Sequence, residues 1–331
     1  MSKTLTIAVP SYNVEKYLNA SLTSYIADGA DERLEVIVVD DGSTDGTAAI
    51  AQGFCERFPT IFRLVSQENG GHGAAINTGM REARGTYFRI IDADDRICTS
   101  SIPALLDALD AADDDLVVDV KREVHMDTGV SELLELPSDL PRNTSMAFST
   151  VCMRDDIEAF FIIHTVIMRT DFLRRHNVSL LEHTFYVDYE LIVKVASRAG
   201  TIRFLDLEGC NYFMGNDEQS VAPANYVRRW DDHSRVTEEL LAFADNAHLP
   251  PERQLFVNKR IKLMVDTHYN IALIYDYNRK RGLERARSFR AMLRAKHYNF
   301  FVSGERRYRL ALILHWLGFD AAKLDSLMGR S

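Results

Sequence analysis

Short apolar runs alternate with stretches of helical spacing through residues 1–100. Leu5-Thr6-Ile7-Ala8-Val9 reads as a buried strand stopped by Pro10, and the loop Ser11-Tyr12-Asn13 leads into a helix over 14–26. A second unit follows at once, with a strand over 34–39, a polar turn over 40–46 and a helix over 47–58. The third has a strand over 62–66, the loop Gln67-Glu68-Asn69-Gly70-Gly71-His72-Gly73 and a helix over 74–83. A fourth strand ends at Asp92, where three carboxylates, Asp92, Asp94 and Asp95, fall within four positions. This alternation predicts an α/β fold, a mostly parallel Rossmann-like sheet with helices on both faces. Ligands of such sheets bind beyond the carboxyl ends of the strands, and Tyr12, Asn13, Asp40, Asp41, the glycine loop and the acidic run all fall at those ends.

Beyond residue 100 the pattern loosens. A helix over 101–111, a strand over 116–120 and an irregular excursion over 121–154 precede Glu182-His183-Thr184-Phe185-Tyr186-Val187-Asp188, which opens a helix reaching about residue 199. Strands are expected over 201–205 and 210–213, then a polar loop over 215–221. From 226 onward the spacing is helical, in stretches over 226–247, 251–277, 283–296 and 305–317. The expected division is an α/β domain over 1–222, with a nucleotide-binding half (1–100) and an acceptor half (101–222), and a helical region over 223–331.

A chain of 331 residues with 46% hydrophobic composition can fill that plan. Its net charge of −9 speaks against general nucleic-acid binding, which needs clustered cations. The four cysteines lie far apart with no C-x-x-C pair, so neither a zinc site nor a disulfide framework is suggested and a reducing cytoplasm is the default. No signal peptide is recognisable, and no apolar run approaches the roughly 20 residues of a bilayer span. Arg306, Arg307 and Arg309 mixed with Leu310, Ile313, Trp316 and Leu317 suggest an amphipathic helix, which packs on the domain or on another subunit or makes peripheral contact with the inner face of a membrane.

The chemistry starts from the acidic run. Like charges this close repel, whereas a hard divalent cation such as Mg2+ or Mn2+ reverses that logic, so Asp92 and Asp94 read as a metal and diphosphate site. The competing reading is an acidic turn capping the next helix. Tyr12 offers a ring on which a base can stack, and a carboxylate of Asp40 or Asp41 can accept from the imide N–H of uracil or guanine. Neither the G-x-G-x-x-G of dinucleotide-binding domains nor a P-loop is present.

Taken in order, Val9-Pro10-Ser11-Tyr12-Asn13, Val38-Val39-Asp40-Asp41-Gly42-Ser43-Thr44-Asp45, Asn69-Gly70-Gly71-His72-Gly73 and Asp92-Ala93-Asp94-Asp95 resemble the motifs of family 2 glycosyltransferases with the GT-A fold. The resemblance covers residues 1 to about 220 and implies an inverting, metal-dependent transfer from a UDP-sugar donor to a glycan or lipid-linked acceptor in surface-polysaccharide or cell-wall synthesis. It places Tyr12 and Asp41 at the uracil, Asp92 near the ribose, Pro10, Asn13 and Ala93 among the donor-binding residues, and Asp94, with Asp92, on the Mn2+ or Mg2+. Asn69, Gly71 and His72 lie beside the donor, and Gln219 and Ser220 sit in a loop closing over the diphosphate. Asp188 occupies the place of the family's catalytic Asp, although Val187 stands where a Glu often precedes it, which keeps Glu182 and Glu190 in view as substitutes. The Gln-x-x-Arg-Trp signature of processive synthases is not matched, favouring single addition. A sugar-phosphate nucleotidyltransferase and a non-catalytic scaffold are the rival readings.

Overall fold

The computed structural model describes residues 3–126, 128–214, 222–321 and 323. The chain divides into two compact units, Met1–Asn216 and Asp217–Ser331.

The first unit is α/β. Its strands are β1 (Lys3–Ser11), β2 (Leu34–Asp40), β3 (Phe62–Ser66), β4 (Gly85–Ile90), β5 (Arg96–Ile97), β6 (Leu116–His125), β7 (Ser131–Leu133), β8 (Met146–Ala147), β9 (Val166–Arg169) and β10 (Thr201–Met214). They form one sheet in the order β3-β2-β1-β4-β9-β6-β10-β5, with β7 on β6 and β8 on β10. Most paired residues lie in parallel pairings: β3, β2, β1 and β4 run together, as do β6 and β10. The short β9 sits antiparallel between β4 and β6 and joins these two parallel groups.

Helices α1 (Glu15–Thr23), α2 (Thr47–Arg57), α3 (His72–Glu82), α4 (Ile102–Asp110), α5 (Thr170–Arg175) and α6 (Val187–Ala196) complete the unit. Val36 and Val38 of β2 pack with Leu18, Leu22, Phe54 and the α4 leucines on one face, whereas Ile37 and Val39 pack with Ala75 of α3 on the other. A strand buried on both faces reads as a continuous apolar run, which is why Leu34-Glu35-Val36-Ile37-Val38-Val39 shows so little alternation. Each fully buried Val, Leu or Ile in these layers contributes about 1.5–3 kcal/mol before conformational entropy is counted.

Two expectations change. Pro10 does not stop β1 but lies inside it, opposite Val39. The Ala8 carbonyl accepts from the Ile91 N–H on the β4 side, so Pro10, two residues on, turns its N–H-less nitrogen to that side just past the end of β4, and no ladder bond is lost. The strands expected over 201–205 and 210–213 are a single β10, whose register against β6 shifts between Phe204 and Cys210 at a bulge.

The second unit is helical, with α7 (Pro223–Arg228), α8 (Trp230–Asn246), α9 (Pro251–Asn270), α10 (Arg279–Lys296) and α11 (Tyr298–Trp316), and a π-helical turn, Ile271–Tyr275, between α9 and α10. Inside it the ring of His268 lies 3.9 Å from that of Trp230 and 4.1 Å from that of Phe289, and its Nδ1 is 2.8 Å from Nδ1 of buried His233. Burial pushes His233 down to about 3 and His268 well below its ordinary value, so both rings are neutral and one donates to the other.

Candidate functional site

Three loops at the carboxyl ends of β1, β2 and β3 are tied together by their own polar side chains. Asn13 adopts a left-handed conformation (φ 53°), from which its Oδ1 accepts from the Thr44 N–H at 2.8 Å and its N–H donates to Ser43 Oγ at 3.0 Å. Thr47 Oγ1 accepts from the Val14 N–H, and Glu15 Oε2 accepts from the Gly46 N–H. The open N-termini of α1 and α2 are thus satisfied by each other's loops. Tyr12, held between Ser11 and Asn13, is 51% exposed and presents its ring to solvent; Pro10 is buried beneath it in β1.

Asp41 anchors the glycine loop. Its Oδ1 accepts from Gln67 Nε2 (2.7 Å) and the Gly70 N–H (2.9 Å), its Oδ2 from the Gly71 N–H (2.8 Å), and its carbonyl from Asn69 Nδ2 (2.9 Å). Oδ1 is therefore saturated, while Oδ2 keeps one acceptor position. Gly71 has φ 83° and lies so close to the chain at His183 that an added Cβ would stand 3.1 Å from its Cα. His72 follows as the first residue of α3.

That loop receives the segment carrying Asp188. The His183 N–H donates to the Gly70 carbonyl at 2.5 Å, and the Asn77 side chain pairs with Leu180 in both directions, at 3.0 and 2.9 Å. A Cβ at Gly73 would fall on the Leu181 carbonyl oxygen, so only glycine permits this approach. Left-handed His183 and Tyr186 then turn the chain so that α6 starts at Val187 and Asp188 lies in its first turn. Glu190, considered as a substitute base, is buried: its Oε1 lies 2.6 Å from Lys194 Nζ and its Oε2 accepts from the Leu181 N–H, which assigns it to holding the segment. Glu182 is exposed.

Beyond β4 the carboxylates separate in role. His164 Nε2 lies 3.1 Å from Oδ2 of both Asp92 and Asp95, and these three residues form the one group among the described residues whose donor atoms gather within 4.8 Å. Asp95 is buried and its Oδ1 accepts from the Phe213 N–H at 2.9 Å, tying the end of β10 to the cluster. Asp94 is exposed and stands outside that group, and Ala93 is buried between them. Asp92 Oδ1 has no hydrogen-bond partner and lies 3.7 Å from His72 Nε2.

The cluster's electrostatics follow from crowding. Burial works against ionisation at Asp92, but His72 and the hydrogen bond from His164 hold it down at about 2. Burial pushes Asp95 up to about 7, with His164 opposing and Asp92 and Asp94 adding to the rise. Asp94 is raised by loss of water at the cleft and by the Asp92 charge. Although Asp188 is an exposed residue, loss of water around its carboxyl raises it, with His72 and His164 opposing and Asp92 adding to the rise. Beneath the cluster, fully buried Arg89 forms a two-pronged pair with Asp119 (2.6 and 3.1 Å) and donates to the His164 carbonyl, which fixes the turn that presents the imidazole. Gly209 leaves room for that pair, since a Cβ there would fall on the Asp119 carboxylate.

A divalent cation suits these groups. The donors are carboxylates and an imidazole, Asp92 Oδ1 is buried without a partner, and spacings of 3.1 Å match the roughly 3 Å between neighbouring positions around an ion with bonds of about 2.1 Å.

The model of glycosyl transferase family 2 matches residues 6–176, slightly more than half the chain and all four strand-end motifs. The chain belongs to that family. An uncharacterized glycosyltransferase of Escherichia coli K12, YibD, is 26% identical over 262 residues, spanning 75% of this chain and 74% of its own. Among solved structures, S. aureus TarS 1-349 in complex with UDP-GlcNAc superposes with a TM-score of 0.68 at 18% identity, covering 96% of this chain and 92% of that one. The mannosyltransferase PcManGT from Pyrobaculum calidifontis, in complex with GDP-Man and Mn2+, gives 0.54 at 19% identity, covering 96% and 88%. Both likenesses concern the fold, which is GT-A.

Within this family 2 glycosyltransferase, the structure brings Asn13, Asp41, Asn69, Gly71, His72, Asp92 and Asp188 into one connected rim. Gln219 and Ser220 lie outside the described residues. His164 is the residue that sequence reasoning missed. It stands alone in an apolar run, Phe160-Phe161-Ile162-Ile163-His164-Thr165-Val166, and no spacing connects it to Asp92 or Asp95.

Proposed function

We propose that this glycosyltransferase moves a sugar from a UDP-sugar to a hydroxyl of a glycan or lipid-linked acceptor, inverting the anomeric carbon, in the assembly of a surface or cell-wall polysaccharide. The observation that supports this reading is that the segment leading into Asp188 docks on the glycine loop, the His183 N–H donating to the Gly70 carbonyl two residues before His72, whose Nε2 lies 3.7 Å from Asp92 Oδ1 at the end of β4. In this reading Asp188 is the proton acceptor, and the residues at the end of β4 are the groups that face the diphosphate.

In this reading Tyr12 stacks on uracil and Asp41 Oδ2, which keeps a free acceptor position, takes the imide N–H. The backbone at the start of α3 and His72 face the donor's phosphates and sugar, where a helix N-terminus favours negative charge. Asp92 and Asp94, with His164 and Asp95 behind them, would hold Mn2+ or Mg2+, which when bound supplies positive charge against the departing diphosphate. The acceptor oxygen attacks the anomeric carbon on the face opposite UDP, its proton passes to the Asp188 carboxylate, and the bond to the UDP oxygen breaks. A carboxyl raised above its ordinary value is the better base for that task, and the term is worth about 10²–10⁴-fold. UDP is preferred because TarS, the closer in shape of the two solved structures compared, was captured with UDP-GlcNAc.

Calorimetric titration of UDP, GDP and ADP, each with Mn2+ and with EDTA, tests the donor reading. Metal-dependent binding selective for UDP is expected, weakened at least about tenfold in Asp94→Asn, about the 1.4 kcal/mol of a modest charge contact. Equal binding of all three nucleotides in EDTA refutes it.

A further inference from the structure

We propose that the outward face of α11 lies on an anionic lipid surface. At 100° per residue, Tyr298, Asn299, Val302, Arg306, Arg309, Leu310, Ile313, Trp316 and Leu317 share an arc of about 120°. All nine are exposed, Ile313 at 57%, Trp316 at 68% and Leu317 at 67%. The opposite side, with Phe300, Gly304, Ala311 and His315, is the buried one: the Gly304 position lies against Val265 and Tyr269 of α9, and His315 Nδ1 is 2.9 Å from the Leu273 carbonyl. The helix has therefore spent its small and aromatic residues on packing and turned six large apolar side chains to water, the reverse of an ordinary surface helix.

Charge decides what covers that face. The arc carries two arginines and no acidic residue. Across residues 279–316 there are eleven Arg and Lys against two Glu, a local charge of +9 in a chain whose total is −9. Lys280, Arg287, Arg294 and Lys296 of the neighbouring α10 are exposed as well. A second copy of such a surface would be repelled, whereas lipid phosphates are attracted, and an exposed Trp at the end of an apolar stripe suits the headgroup boundary. No helix among the described residues is long and apolar enough to cross a membrane, so the contact is one of a helix lying in the interface.

Co-sedimentation of the full chain with vesicles of phosphatidylcholine, with and without phosphatidylglycerol, reads this contact without reference to donor or turnover. Binding only to the anionic vesicles, weakened by salt, is expected. R306Q/R309Q should lower the partition constant about 30-fold, on roughly fivefold per cation, and I313S/W316S about tenfold or more. Arg81→Gln, an exposed cation on α3, should change it little. All substituted positions are exposed, and unchanged melting confirms that each variant folds. Absence of binding, equal binding to both vesicle types, or binding indifferent to both double variants overturns the proposal. So does self-association in analytical ultracentrifugation that I313S/W316S abolishes while lipid binding is absent, since the face would then be a subunit contact.

Discussion

In the parallel half of the sheet, the polar residues of the rim lie at or within two or three residues of the carboxyl ends of their strands: Ser11, Tyr12 and Asn13 at β1, Asp40 and Asp41 at β2, Asp92 at β4. In the mixed half they do not. His164 lies inside an apolar run, two residues before β9, and Asp188 enters the first turn of α6 only after the chain has passed two left-handed residues. The first arrangement places a side chain by strand geometry alone, whereas the second needs tertiary braces: Arg89 on the His164 carbonyl, Asn77 on Leu180, Gly73 against Leu181. Strand ends write their chemistry as short motifs, and braced loops scatter it.

The largest expected effect tests the division of labour directly. Asp188→Asn should lower turnover about 10²–10⁴-fold while leaving UDP affinity within a factor of two or so, read by steady-state assay beside calorimetry. Loss of UDP binding instead would move Asp188 to the donor side of the cleft. Next, Asp119→Asn strands the buried Arg89 charge and should cost about 3–5 kcal/mol of stability in urea denaturation. A smaller change would mean that Arg89 is not the brace for His164. Gly73→Ala should cost about 1–3 kcal/mol by overpacking against Leu181 and reduce turnover as residues 180–184 are displaced. Wild-type melting and activity would show that the two halves meet more loosely than described.

The last test lies in the helical unit, whose paired histidines belong to that unit's own interior. His233 and His268 are neutral when folded and take up protons near pH 6.5 once unfolded, so the folded form binds fewer protons in acid. Their contribution is complete above about pH 6.5 and is lost progressively as pH falls toward 3, at up to about 1.4 kcal/mol per pH unit per group. Thermal melting between pH 7.5 and 5.5 should show that slope, and His233→Gln should flatten it; a slope unaltered by the substitution assigns the acid sensitivity elsewhere.

The sheet and its helices were legible because apolar runs such as Val36-Ile37-Val38-Val39 admit few other homes, and the β3 boundaries were read without error. β9 was not legible. It is four residues inside a longer apolar run whose spacing separates helix from strand poorly, and only its insertion between β4 and β6 makes it a strand. The acidic run stands out in the sequence, but its internal division does not. That Asp95 turns inward to Phe213 and His164 while Asp94 stands outside that group depends on how β10 and the 160–165 turn close over the strand end, and the four-residue motif carries no trace of either.

Three buried positions of this chain can change over time only together. Gly209, Asp119 and Arg89 occupy one volume: a methyl at 209 collides with the carboxylate, and a shortened 119 leaves a guanidinium buried without its counter-charge. Each single step is therefore deleterious while a concerted replacement is open, so the three positions should drift as one block, and a pairwise substitution map should show its strongest epistasis at this triplet of residues, none of which needs to touch a substrate.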